Sequence, residues 1–325
     1  MPDVTVAIPV RDGGALLART LAALAAQTVP HELLVCDSGS RDGSVALARE
    51  HGARVIEIPP ARFGHGATRN LLLTEARGER VALLTQDAEP VDERWLERLL
   101  AGFALAGDVA IVYGPYRPRP GAPPAVALEL EHWFASLAPD GLPTVERLAP
   151  EERALPVVEL LGRRGFFTDA NACIDRAAWE RTPFREVPYA EDRVLAIDVL
   201  RAGAAKAFVP DAAVWHSHDY TPVQQLRRAF DEWRGLLEVY GWREPADPRR
   251  LARQLRGELG RARRELVAAG VPANRATATL AALAGHHLLR STGALLGSRA
   301  DRLPPWGRRG LSLERRATFA PLRWD

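Results

Sequence analysis

The sequence contains few cysteines and no long apolar segment. Cys36 and Cys173 are its only cysteines in 325 residues, too few and too far apart for a disulfide framework or a cysteine metal site. We expect each to be a small buried residue, which favours a reducing compartment. No apolar run reaches the roughly 18 residues that a spanning helix needs, and the chain does not start with the basic and then apolar segments of a secretion signal. These features predict a cytoplasmic protein.

Charge is unevenly distributed along the chain. The formal net charge is +2, but the segment from Gly241 onward carries 17 arginines and 7 acidic residues, which gives +10 and leaves −8 for the rest. The arginines lack interleaved aromatic residues and any zinc or helix-turn-helix spacing, so we expect no nucleic-acid partner. An anionic membrane surface or an anionic acceptor fits the basic tail better.

Part of this tail has the pattern of an amphipathic helix. We predict that its leucines pack on the main domain and its arginines face water, with a helix lying on a membrane as the alternative. The leucines are Leu251, Leu255, Leu259 and Leu266, and the arginines are Arg253, Arg256, Arg263 and Arg264.

Apolar runs alternate with helical patterns in the first third of the chain, as in a parallel sheet covered by helices on both faces. The predicted strands are Val4–Val10, Leu33–Asp37, Arg54–Ile58, Val81–Thr85 and Val109–Tyr113. The predicted helices between them are Leu16–Ala26, Ser44–His51, Thr68–Ala76 and Glu93–Ala106. The fold class is therefore α/β, and ligands are expected at the carboxyl ends of the strands.

The pattern changes twice after the first third. Residues 114–164 are rich in proline and glycine and predict an inserted, mobile loop in the acceptor region, with a short helix at Leu128–Leu137. A strand at Phe166–Ile174 and helices at Glu191–Ala202 and Thr221–Tyr240 then complete a catalytic domain of residues 1–240. Residues 241–325 form a basic, mostly helical region.

Two aspartates follow apolar strands in this arrangement. Asp37 precedes Ser-Gly-Ser, and Asp87 follows Thr85-Gln86. Carboxylates and a divalent cation together suit a nucleoside diphosphate, because hard oxygen ligands bridge the metal to phosphate oxygens. Alone, either aspartate is as well explained as a turn former or a helix cap.

Several motifs occur in an order and spacing that make the chain resemble family 2 glycosyltransferases of the GT-A fold, and more narrowly the bacterial rhamnosyltransferases of that family. The resemblance covers about residues 4–240. The motifs are Val4-Thr-Val-Ala-Ile-Pro9, Val35-Cys-Asp37-Ser-Gly-Ser40, Phe63-Gly-His-Gly-Ala-Thr-Arg69-Asn70, Leu84-Thr-Gln-Asp87, Glu191-Asp192 and Trp215-His-Ser-His218.

The resemblance implies roles for residues of the first motifs. Asp37 would accept a hydrogen bond from the pyrimidine base, and Arg69 would contact the base or the phosphates. Asp87 would bind Mg²⁺ or Mn²⁺. The family usually has two aspartates here, two residues apart, whereas this chain has Thr85 at the first position. The other residues assigned to substrate binding in these motifs are Pro9, Ser40 and Gln86.

The resemblance also implies a general base. Asp192 would take the proton from the acceptor hydroxyl in an inverting displacement, although Glu191 and Asp192 also suit the start of a helix. His216 and His218 are candidate metal ligands, with His216 preferred. Asp169, Asn171 and Glu191 are assigned to substrate binding. The alternative for Asp169 and Asn171 is that they are ordinary polar residues on the solvent-exposed face of a strand.

These assignments predict an inverting transferase that uses a dTDP- or UDP-sugar, with rhamnose as the best choice of sugar. The acceptor would be a cell-surface glycan or a lipid-linked saccharide at the inner face of the membrane, and a second copy of the chain is a further candidate partner. A UDP-hexose transferase of the same fold and a non-catalytic sugar-nucleotide-binding protein are the alternatives. Absent spanning helices argue against a processive membrane-embedded synthase.

Overall fold

The computed structural model describes residues 3–187, 189–218 and 220–313, apart from the side chain of Arg163. The described residues form two compact units. The first contains residues up to Arg117 together with Trp133–His216, and the second contains Pro118–His132 and the residues from Ser217 onward. No helix among the described residues has the length and apolarity needed to cross a membrane.

The first unit contains an eight-stranded sheet in the order β3-β2-β1-β4-β9-β6-β10-β8. Its strands are β1 (Val4–Val10), β2 (Glu32–Asp37), β3 (Arg54–Glu57), β4 (Arg80–Leu84), β6 (Val109–Tyr113), β8 (Thr144–Glu146), β9 (Asn171–Asp175) and β10 (Ala205–Phe208). The strands β5 (Glu89–Pro90), β7 (Tyr116–Arg117) and β11 (Val214–Trp215) form a second, small sheet.

Most neighbouring strands of the large sheet are parallel, and the mostly parallel α/β fold predicted from the apolar runs is confirmed. β6 is a continuous apolar run, and β1 is apolar except for the buried Thr5, because both faces of the sheet are covered. Two strands are exceptions: β9 is antiparallel to β4 and β6, and β8 is antiparallel to β10.

Helices of the first unit pack apolar side chains against the sheet. They are α1 (Gly14–Ala25), α2 (Ser44–Glu50), α3 (His65–Glu75), α4 (Trp95–Ala101), α6 (Val157–Arg163), α7 (Arg176–Arg181) and α8 (Glu191–Arg201). Leu17 and Leu21 of α1 and Trp95 of α4 are fully buried in this core. The predicted helix Glu93–Ala106 is shorter, because a 3₁₀ turn replaces its second half at Gly102–Leu105.

Two predictions for the middle of the chain are wrong. The proline-rich residues 114–164 are largely ordered, with α5 (Pro124–Leu137), β8 and α6. Prolines do not prevent this, since Pro124 occupies the first turn of α5, where no backbone N–H is needed. The predicted strand Phe166–Ile174 begins only at Asn171, and the residues before it form a loop.

The second unit is helical. It contains the first part of α5 and the helices α9 (Pro222–Tyr240), α10 (Pro248–Ala268), α11 (Ala273–Gly297) and α12 (Pro305–Leu311). α9 begins with a capping box, in which Thr221 and Gln224 satisfy each other's backbone N–H groups. Leu259 of α10 packs with Ala125 and Leu283 in a small apolar cluster, while Arg253 and Arg263 are exposed. The predicted amphipathic character of this helix is confirmed.

Candidate active site

Asp37 ends β2 and folds the loop that follows it. Its Oδ2 accepts hydrogen bonds from the backbone N–H of Gly39 at 2.9 Å and of Ser40 at 3.0 Å, and the hydroxyl of Ser40 donates to Oδ1. Gly39 has φ +95°, a conformation that side chains disfavour. The carboxylate is 98% shielded from solvent and is therefore a turn former, which is the structural role that the sequence also allowed.

The loops after β1 and β2 are locked together. The backbone N–H of Asp12 donates to the hydroxyl of Ser40 at 2.8 Å, and Oδ1 of Asp12 accepts a hydrogen bond from the backbone N–H of Arg41 at 2.7 Å. Gln86 bonds both backbone groups of Arg11, at 2.8 and 3.1 Å. Pro9 lies in β1 beside these contacts, paired in register with Cys36. The predicted substrate-binding residues Pro9, Asp37, Ser40 and Gln86 thus form one rigid edge of the sheet.

Asp87 and His216 come together in the same unit. The Oδ2 of Asp87 lies 3.6 Å from Nδ1 of His216, and both side chains are largely buried. His216 is held by its backbone N–H, which donates to the carbonyl of Arg117 at 3.0 Å. The hydroxyl of Thr85, two residues before Asp87, is buried and has no hydrogen-bond partner among residues 3–187, 189–218 and 220–313. His218, the third predicted metal ligand, lies at the start of the second unit.

A buried ion-pair cluster connects α3 to α8. The guanidinium of Arg69 donates to Asp169 at 2.8 Å and to Glu191 at 3.1 Å, and to the backbone carbonyl of His65 at 3.2 Å. Arg69, Asp169 and Glu191 are each at most 6% exposed. The reading of Asp169 as the wet face of a strand is therefore wrong. Buried charges of opposite sign that hydrogen-bond each other fix the geometry of the elements that carry them.

Asp192 follows Glu191 in the first turn of α8. Ala190, the residue before the helix, has φ 55°, a left-handed conformation that is uncommon without glycine and often accompanies functional sites. Burial raises the pKa of Asp192, and the charges of Arg193 and Arg69 offset this only in part. A carboxylate with a raised pKa binds a proton more readily, as a general base must.

Tyr116 contacts His216 and Thr168 and was not identified from the sequence. Its ring contacts that of His216 edge to face, with centroids 4.7 Å apart, and its hydroxyl contacts that of Thr168. Burial raises its pKa well above the usual value, and the charges of Asp192, Asp169 and Asp87 add to this rise. The phenol therefore stays protonated beside all three carboxylates. No motif marked this position, which lies in β7, three residues after the end of β6.

Asn171 has a structural role. Its carbonyl accepts from the indole N–H of Trp95 at 2.8 Å, and its amide donates to the carbonyls of Pro115 at 3.1 Å and Ala212 at 2.8 Å. Its side chain is fully buried. Both polar atoms of the Asn171 side chain are therefore engaged within the fold.

Comparison with known proteins places this geometry in a family. The model of glycosyl transferase family 2 matches residues 5–140. The chain is 31% identical over 238 residues to the O-antigen chain rhamnosyltransferase RfbN of Salmonella typhimurium, covering 70% of each chain. It is 30% identical over 237 residues to the O-antigen chain rhamnosyltransferase WbaN of Salmonella anatum, covering 71% of each.

Solved structures agree on the fold. The mannosyltransferase PcManGT from Pyrobaculum calidifontis, in complex with GDP-Man and Mn²⁺, superposes with a TM-score of 0.58 at 21% identity, covering 92% of this chain and 86% of that one. The predicted GT-A fold is confirmed, and so is the resemblance to rhamnosyltransferases. On its sequence relationship to RfbN and WbaN, the chain belongs to glycosyltransferase family 2.

Proposed function

We propose that this glycosyltransferase inverts the anomeric centre of a nucleoside-diphosphate sugar, with Asp192 as the general base. The observation that supports this most is the position of Asp192 in the first turn of α8, two residues after the left-handed Ala190, where burial raises its pKa. Asp192 would take the proton of the acceptor hydroxyl as that oxygen attacks the anomeric carbon. Inversion needs only this one base. Arg69 and Glu191 would hold it by fixing the start of α8.

The donor would bind along the edge formed by Pro9, Asp37, Ser40 and Gln86. The pyrimidine base of the donor would lie against the turn that Asp37 closes. Arg69 is too deeply buried to reach the nucleotide, so we assign it to positioning rather than to the predicted contact with the base or phosphates.

Asp87 and His216 would hold a divalent cation, with His218 as a further candidate ligand. The donor set fits such an ion, because an imidazole and a carboxylate lie 3.6 Å apart, and the buried hydroxyl of Thr85, two residues before Asp87, has no partner in the described part of the chain. Mn²⁺ accepts imidazole more readily than Mg²⁺, which prefers oxygen ligands. A bound cation would neutralise the charge of the departing diphosphate.

The sugar is proposed to be rhamnose, carried by dTDP or UDP. The names of the two Salmonella relatives support rhamnose and an acceptor in a growing O-antigen-like glycan. A UDP-hexose is the alternative donor. The exposed arginines of α10 would bring the protein to an anionic membrane that carries a lipid-linked acceptor, each contributing on the order of 1 kcal/mol near the surface.

Asp192→Asn tests the mechanism. The amide keeps the shape of the carboxylate but cannot accept the proton, so turnover of dTDP-rhamnose should fall by about 10² to 10⁴-fold while the donor binds unchanged. Asp211→Asn is the matched control, because it makes the same change at an exposed aspartate of the same unit. Wild-type turnover in Asp192→Asn would remove Asp192 from the mechanism. Donor binding by calorimetry with dTDP-rhamnose and UDP-glucose, each with Mn²⁺ or EDTA, would identify donor and metal.

A further inference from the structure

The second unit contains a small cavity that is lined by none of the residues assigned above. It has a volume of about 270 Å³ and is lined by Arg227 of α9, Arg309 and Gly310 of α12, and Ser312. This volume suits a small group rather than a whole saccharide, since pockets for larger ligands start at roughly 300 Å³.

Ser312 is the most informative residue of the cavity. Its side chain is 3% exposed, yet its hydroxyl has no hydrogen-bond partner in the described chain. The neighbouring backbone is well anchored, because Ser312 donates its N–H to the carbonyl of Arg308 at 3.1 Å and Leu313 donates to Asp231 at 2.7 Å. Loose local structure therefore does not explain the unpaired hydroxyl. A buried polar atom without a partner in an ordered segment indicates a missing ligand.

The two arginines supply positive charge at the same place. Arg227 is half-buried and Arg309 is exposed, and within residues 3–187, 189–218 and 220–313 no carboxylate pairs with either one. A guanidinium recognises phosphate or carboxylate oxygens through two parallel hydrogen bonds. Three donors from separate positions match the three terminal oxygens of a phosphate group better than the two oxygens of a carboxylate.

We propose that Arg227, Arg309 and Ser312 form a binding site for a phosphate group, either a free phosphate or diphosphate or the phosphate of a lipid headgroup. The site would give the second unit a ligand of its own, separate from the nucleotide sugar.

Binding of inorganic phosphate and diphosphate to the full-length protein tests the free-ligand source. Thermal shifts are compared at constant ionic strength with chloride as the reference ion, since a ligand that binds only the folded state raises the melting temperature. Arg227→Gln and Ser312→Ala should each weaken binding at least tenfold. Arg302→Gln is the matched control, because it removes the same charge from an exposed arginine that does not line the cavity.

Ser312→Ala separates a binding role from a structural one. Removing a buried hydroxyl that lacks a partner should leave the unliganded protein as stable as the wild type or more stable, while phosphate binding is lost. A variant that loses stability without ligand would assign the hydroxyl to the fold and contradict the proposal. This variant also keeps the reading clear if Arg227→Gln does not fold.

Vesicles test the lipid source. The protein is sedimented with vesicles that contain phosphatidic acid, whose phosphate is terminal, or phosphatidylglycerol at matched surface charge. Stronger binding to phosphatidic acid that Ser312→Ala abolishes would identify a lipid phosphate, and because this variant leaves the net charge unchanged, it does not affect general attraction by the arginines of α10. The proposal is overturned if neither phosphate nor phosphatidic acid binds, or if Arg302→Gln weakens binding as much as Arg227→Gln.

Discussion

Nη1 of Arg69 lies 3.1 Å from Oε1 of Glu191, so a buried ion pair joins α3 to the residue directly before Asp192. Asp169 contacts the same guanidinium. Arg69→Met would leave two buried carboxylates without their cation, and breaking a buried pair in this way typically costs about 3–5 kcal/mol. Urea denaturation should show this loss.

A double variant distinguishes charge pairing from packing at Arg69. Arg69→Met combined with Asp169→Asn removes one of the carboxylates that the single variant leaves unpaired, so part of the lost stability should return. If the two single losses simply add, the guanidinium stabilises the fold through packing and not through its charge.

The position of Arg69 was predictable from the sequence, but its contacts were not. Its motif precedes Asp169 by about a hundred residues, and only the folded chain brings the two together. The same holds for Asn171, whose amide bonds groups from three distant segments. Tyr116 carries no motif at all. Local patterns identify candidate polar residues, whereas long-range hydrogen bonds decide which of them are structural.

The fold shows the same division. β1 and β6 match their predicted bounds because strands buried on both faces are mostly apolar along their whole length. β9 was misplaced, since the aromatic residues before Asn171 are as apolar as a strand and lie in a loop. β8 is only three residues long and gains its strand conformation by pairing with β10, which its own sequence does not indicate.

Metal binding at Asp87 and His216 is open to a direct test. Asp87→Asn should weaken Mn²⁺-dependent binding of dTDP or UDP by about tenfold or more, because it replaces the carboxylate ligand with a neutral amide. His216→Ala should have a similar effect. Calorimetry with and without EDTA measures both, and His51→Ala, at an exposed histidine after α2, is the control. Equal metal-dependent binding in Asp87→Asn and the wild type would contradict the assignment.

Lys206 is the only lysine of the chain and is 2% exposed. Its ammonium donates to the carbonyl of Phe166 at 2.6 Å and lies 3.1 Å from Glu146. Burial lowers the pKa of Lys206, and the charge of Glu146 offsets this only in part. A lowered pKa alone would make the amine more reactive. We expect burial to dominate, so an acetylating reagent should leave Lys206 unmodified in the native protein and modify it in urea, as mass spectrometry can show.

Glu146→Gln provides the comparison for this labelling experiment. Loss of the carboxylate leaves the buried ammonium without its charge partner, which favours local opening and should speed acetylation of Lys206. Native labelling at the rate of a short lysine peptide would show that the side chain is open to solvent.

Glu129 of α5 gives the second unit a dependence on pH. Its carboxylate lies 2.5 Å from Nε2 of His286 and 3.2 Å from Nε of Arg290, both on α11. Burial favours the neutral acid, but Arg290 and His286 outweigh it and lower the pKa of Glu129 from 4.5 to about 2. A pKa that is lower in the folded than in the unfolded chain stabilises the fold above about pH 4.5, and this stabilisation disappears as the pH falls towards 2. At 1.36 kcal/mol per pH unit, the contribution is at most about 3 kcal/mol.

Hydrogen exchange in α11, measured between pH 6 and pH 3, should therefore accelerate relative to its intrinsic rate in the wild type. The variant Glu129→Gln should already exchange faster at pH 6, and its exchange should depend less on pH below 4.5. Glu131→Gln, at an exposed position of the same helix, should behave as the wild type. A slope in Glu129→Gln equal to that of the wild type would mean that other carboxylates set the acid sensitivity of α11.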